Sequence, residues 1–130
     1  MPRGKIEKKN TVNKVDVSQI AIDAILRKNG DDVTVLNIKH IPNTLFDQFI
    51  ICTANSGVQA ETICDEIIFS IRNEFKIKPM NVEGTDNKEW ILLDYFDTLI
   101  HIFLPETRTF FKIEQLWADA EIKKISVEQD

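Results

Sequence analysis

Apolar and polar residues change period several times along this chain, and each change predicts a new element. Asp16 or Ser18 can cap a helix whose apolar stripe is Ile20, Ala21, Ala24, Ile25 and Leu26, and Asn29-Gly30 stops it. A strand follows over 33–38, with Val33, Val35 and Asn37 on one face, and Ile41-Pro42-Asn43 is a connection. The next strand, 47–53, has a continuous apolar centre, Phe49-Ile50-Ile51-Cys52, which suits burial on both sides. Ser56 followed by Gln59 has the capping-box spacing. It opens a helix reaching Phe75, with Ala60, Ile63, Cys64, Ile67, Ile68, Ile71 and Phe75 at helical intervals. Pro79 closes it, 80–83 is a short strand, and 84–88 is a polar loop.

Two strand-like runs come next, Trp90–Tyr95 and Thr98–Phe103, with Phe96-Asp97 between them. A two-residue turn pairs Tyr95 with Thr98, Leu92 with His101 and Trp90 with Phe103. Alternation then puts Ile91, Leu93, Tyr95, Ile100 and Ile102 on one face, which asks for helices. Trp90, Leu92, Asp94, Leu99, His101 and Phe103 share the other face, a mixture of aromatic, aliphatic and polar groups. Two readings stay open for it: a sheet buried on both sides, or an open face that docks a partner with Trp90 as anchor. Pro105 and Glu106 then open a helical turn, and Phe110, Phe111, Leu116 and Trp117 are expected to pack that segment onto the body.

The order α-β-β-α-β-β-β-α predicts one α/β domain over 16–120, a mixed five-stranded sheet with helices packed on one face. The passage from 47 to 83 predicts a crossover joining a parallel pair of strands. Residues 1–15 read as a disordered basic tail, and 121–130 as a polar end that frays.

Charge sharpens this picture. Five of the sixteen basic side chains and one of the twenty-one acids fall in residues 1–15, which leaves a net −9 on the rest. So acidic a body is repelled by nucleic-acid phosphates and attracted to a basic protein. Any direct RNA contact is left to the tail. The hydrophobic share of 43% and charged share of 28% are ordinary for a soluble globular protein. No apolar run is long enough to span a membrane, and no signal peptide is visible. Cys52 and Cys64 form no paired motif and read as reduced, buried thiols. His40 and His101 stand alone, so no metal and no cofactor is expected.

Candidate chemistry is thin. Asp94 and His101 share a face, but Asp97 lies in the turn and no nucleophile or third ligand accompanies them. Asn55-Ser56-Gly57, between a strand and a helix, could present N–H groups to a phosphate, the one hint of a nucleotide-binding or nucleotidyl-transferring enzyme. It matches no phosphate-loop pattern, and a helix cap explains it equally well.

Several stretches together resemble the ribosomal silencing factor (Iojap-related, RsfS-type) family: L-L-D-Y-F-D-T-L-I-H-I-F-L-P-E-T-R at 92–108 and I-E-Q-L-W-A-D-A at 113–120. D-x-F-I-I-C-T-A at 47–54, S-x-x-Q at 56–59, D-E at 65–66 and V-E-G at 82–84 follow the same order. The resemblance implies a fold like that of nucleotidyltransferases without their catalytic signature, and hence a non-enzyme. It implies a repressor that binds ribosomal protein fourteen of the large subunit and blocks small-subunit joining when nutrients are short. Trp90, Asp94, Asp97, His101 and Phe103 match the family's binding hairpin, to which the face reading adds Leu92 and Leu99. The implied location is the bacterial cytoplasm, and a homodimer through the same face is the competing use of it. The chain departs from the family at Phe96, where glycine is usual, at Gln48 in place of tyrosine, and at Gly57 in place of aspartate. Phenylalanine resists the positive φ of a tight turn, which argues for a longer turn or one of another type.

Overall fold

The computed structural model describes residues 15–126; the expectations for the basic tail lie outside them. The elements are α1 (Ser18–Arg27), β1 (Asp31–Asn37), β2 (Gln48–Thr53), α2 (Gly57–Phe75), β3 (Asn81–Glu83), β4 (Trp90–Tyr95) and β5 (Thr98–Phe103). After them come α3 (Pro105–Phe111), α4 (Ile113–Leu116) and β6 (Glu121–Lys124). The strands form one mixed sheet in the order β3-β4-β5-β2-β1-β6.

Local signals place most elements where the sequence predicts them. The cap position of α1 falls on Val17, without a side-chain cap bond, and Asp16 one residue earlier accepts the Ser18 N–H at 2.9 Å. Asn29, at φ 64°, ends α1 in the left-handed region. The capping box of α2 closes as expected, Ser56 Oγ accepting the Gln59 N–H at 3.1 Å and Gln59 Oε1 the Asn55 N–H at 2.7 Å. Gln59 Nε2 also donates to the Lys28 and Asn29 carbonyls, so one side chain locks the start of α2 to the end of α1. The hairpin has the expected register, with Tyr95 opposite Thr98, Leu92 opposite His101 and Trp90 opposite Phe103.

Three expectations change. The sheet has six strands, because 121–124 pairs antiparallel with β1 instead of fraying. All four residues of β6 are exposed, so backbone hydrogen bonding to the free edge of β1 holds it, and apolar alternation is not required. Lysines on such an edge also discourage further strand addition. The parallel neighbour of β2 is β5. β3 runs in the same direction but lies beyond β4, since the apolar hairpin takes the centre and the three-residue polar strand goes to the edge. Phe110 and Leu116, expected to pack inward, are 78% and 75% exposed.

Two apolar clusters flank the sheet. The larger gathers Ala21, Ile25, Ile63, Ile67 and Ile71 of the long helices over Ile50, Ile91, Leu93, Ile100 and Ile102. The smaller, on the opposite face, holds Leu36, Ile38, Phe49, Ile51, Leu99, Phe103 and Ile113, with Trp90, Leu92 and Trp117 at its margin. The long helices thus lie on one face as expected, and the short α3–α4 segment closes over part of the other. Both cysteines are free and buried, and burial pushes the thiols up to about 12 for Cys52 and about 11 for Cys64. Among the described residues no helix is long and apolar enough to cross a membrane.

Candidate functional site: the outer edge of the hairpin

Trp90, Leu92 and Asp94 project from β4 onto the face opposite the long helices, and all three are half-buried. Their partners on β5 (Phe103, His101 and Leu99) are 0%, 3% and 9% exposed. Of the seven residues that the sequence assigns to docking, a partner can therefore reach Trp90, Leu92, Asp94 and the half-buried turn residue Asp97. Leu99, His101 and Phe103 lie beneath and support them.

Trp90 is the most constrained of the group. Its ring centroid lies 4.8 Å from Phe103 and 4.9 Å from Phe111, and its indole Nε1–H donates to His101 Nδ1 at 3.1 Å. Aromatic contacts of this kind add roughly 0.5–1.5 kcal/mol each beyond area burial. An indole fixed in advance loses little side-chain entropy when a partner covers it. Burial pushes His101 down to about 3, so its ring is neutral. With Nδ1 accepting from Trp90, the ring proton sits on Nε2. His101 Nδ1 thereby orients the indole.

The turn is tied down at both ends. Asp94 Oδ1 accepts the Phe96 N–H at 3.0 Å, and the Asp97 carbonyl accepts the N–H groups of Asp47 and Gln48 at 2.8 and 3.2 Å. These bonds hold a two-residue turn with Phe96 at φ 63°, despite a cost of about 1 kcal/mol or more for a bulky residue in that region. Gly84, at φ 86°, lets the preceding loop cross close to the hairpin, since a Cβ there would lie 1.9 Å from the Trp90 carbonyl oxygen.

Sequence reasoning missed two supporting residues. Phe111, 45% exposed, flanks the indole and extends the apolar edge. Arg108 clasps α3 to the sheet, Nη1 donating to the Asp32 carbonyl at 2.7 Å and Thr53 Oγ1 at 2.8 Å. Its Nη2 donates to Thr34 Oγ1 at 3.1 Å and to Glu114 Oε2 at 2.7 Å. Three of those four partners are more than fifty positions away in sequence, so no local pattern marks this arginine.

The edge is acidic. From Glu89 to Phe103 there are three acids and neither lysine nor arginine. The alternative phosphate site at 55–57 is used internally: Ser56 and Gln59 satisfy local N–H groups, and Lys88 lies over Gly57 while pairing with Glu61 at 3.0 Å. Among the described residues no group of three or more His, Cys, Asp or Glu is placed to hold a metal ion.

The mixed sheet thus carries two long helices on one face and, on the other, a hairpin edge around the half-buried Trp90. The family model described as "Ribosomal silencing factor during starvation" matches residues 11–130, and the chain belongs to that family. It is 32% identical to the ribosomal silencing factor RsfS of Halalkalibacterium halodurans over 105 residues, covering 81% of this chain and 88% of the relative. It is 24% identical over 122 residues to a mouse protein named "Mitochondrial assembly of ribosomal large subunit protein 1", covering 88% of this chain and 52% of that one. A crystal structure of a Chromobacterium violaceum protein superposes with a TM-score of 0.74 at 26% identity, covering 86% of this chain and 91% of that one.

Proposed function

We infer that this protein is a non-enzymatic translational repressor of the bacterial cytoplasm. It docks on the large ribosomal subunit through ribosomal protein fourteen and blocks joining of the small subunit by occupying its place. Family membership supports association with the ribosome, and the mouse relative's name points to the large subunit. The observation that carries the reading is the half-exposed Trp90, fixed by Phe103, Phe111 and His101 on a hairpin whose own sequence from Glu89 to Phe103 has neither lysine nor arginine. Large aromatics held in place at the centre of a patch are the usual anchors of binding. Acids around such an anchor favour a basic partner, with which they gain association rate and orientation. A homodimer through the same edge would instead set acid against acid.

Occlusion requires affinity and position but no turnover, so a protein with no reactive centre suffices. The test is light scattering of subunit joining. Wild-type protein preincubated with large subunits should suppress the rise in scattering when small subunits are added, and Trp90→Ala should not. Undiminished joining in the presence of saturating wild-type protein would contradict the reading.

A further inference from the structure

Phe96 stands at the tip of the β4–β5 hairpin at φ 63° with 58% of its surface exposed. Seven described residues other than glycine have positive φ, and six of them are Asn, Asp or Lys. Short polar side chains accept that region through local hydrogen bonds, and lysines at helix ends keep theirs in water. Phe96 is the one apolar member. It belongs to neither apolar cluster, so the fold does not compensate the backbone strain by burying the ring. The turn itself is held by the Asp94 carboxylate and the Asp97 carbonyl, both available to glycine at position 96 as well. A strained, exposed aromatic where glycine would fit more easily points to a use outside the fold.

We propose that Phe96 is a contact residue for a cationic side chain, specifically an arginine, of the protein that docks on the β4 edge. The ring face offers a cation–π platform. Asp94, half-buried two residues before the ring, takes the Phe96 N–H on Oδ1 and forms no ion pair among the described residues, so its carboxylate charge lies close to the hairpin tip. A guanidinium stacks on an aromatic face and bonds a carboxylate through the same planar fork, which an ammonium cannot do. This proposal rests on the docking reading and extends it from Trp90 to the hairpin tip, requiring a basic counter-surface there.

The experiment compares full-length wild type, Phe96→Gly, Phe96→Trp and Trp90→Ala for thermal unfolding and for affinity toward purified large ribosomal subunits. Phe96→Gly should melt about 2–8 °C higher, because the strain is relieved, yet bind roughly five- to tenfold more weakly. Phe96→Trp should keep wild-type affinity. A Phe96→Gly variant that binds as wild type does, or melts lower, would overturn the proposal, since the ring would then be idle or part of the fold. Wild-type protein that fails to bind, or binding indifferent to Trp90→Ala, would remove the docking reading itself, and that outcome is distinct from a failure confined to position 96.

Discussion

β4 and β5 form one hairpin, and their outer residues alternate in the same way, yet the two strands end in different environments. Trp90, Leu92 and Asp94 of β4 are half-buried, whereas Phe103, His101 and Leu99 of β5 are sealed. Composition does not separate them, since each set holds one large aromatic, one leucine and one polar group. Position in the sheet does. β5 lies inside, next to β2, under the layer that includes Ile113 and Trp117, while β4 is one strand from the edge, beside the three-residue β3. A side chain on the same face of the same hairpin is thus sealed in one strand and accessible in the next.

Substitutions can break this comparison, and the largest effect falls on the sealed side. Phe103→Ala removes a fully buried ring that packs at a tilt against Trp90 and should cost about 3–5 kcal/mol in urea unfolding. Arg108→Ala cuts four hydrogen bonds and leaves Glu114 without its ion-pair partner in a site where the arginine side chain is only 10% exposed. The expected loss is about 2–4 kcal/mol. Faster amide exchange in β5 should accompany it as α3 lifts. Trp90→Ala lies on the open side, so it should leave a cooperative fold and instead cost about 2 kcal/mol or more of binding to large subunits.

Between pH 6.5 and 5, the smallest effect is a dependence on pH. His101 has its folded-state value pushed down to about 3 by burial, while an unfolded histidine titrates near 6.5. Between those values the unfolded chain holds more protons, so this contribution to stability is full above pH ~6.5 and falls as pH drops toward ~3, with a slope approaching about 1.4 kcal/mol per pH unit. The Arg27 hydrogen bond lowers Glu66 from its ordinary 4.5, which adds its own loss only at lower pH. Urea midpoints measured from pH 6.5 to 5 should therefore decline for wild type and flatten in His101→Gln. Equal slopes in the two proteins would show that His101 is not the titrating group.

How much of this could be read in the sequence follows the same division. Alternation fixes which residues of Trp90–Tyr95 and Thr98–Phe103 share a face, and the pairing follows from the two residues between them, even with Phe96 in a conformation that disfavours it. The Asp16 side-chain bond at the start of α1, the left-handed Asn29 at its end and the Ser56 cap are local chemistry and mark their helices in the same way. What covers a face is not local. The Arg108 clasp joins α3 to Asp32 and Thr34, 76 and 74 positions away, so the sealing of Phe103 and His101 leaves no trace in periodicity. β6 was unreadable for a related reason: an exposed edge strand is held by hydrogen bonds to its neighbour and needs no apolar pattern. The seven docking candidates were accordingly gathered on or beside one face of the hairpin, but the four accessible ones could not be told from the three beneath them.

The central claim is that the Trp90 edge docks on the large subunit. Sedimentation of purified protein with separated ribosomal subunits, wild type beside Trp90→Ala, tests it most directly. The account predicts that wild type travels with large subunits only and that the folded variant stays at the top of the gradient. Wild type that remains unbound, or a variant that travels with large subunits as well as wild type does, would contradict it.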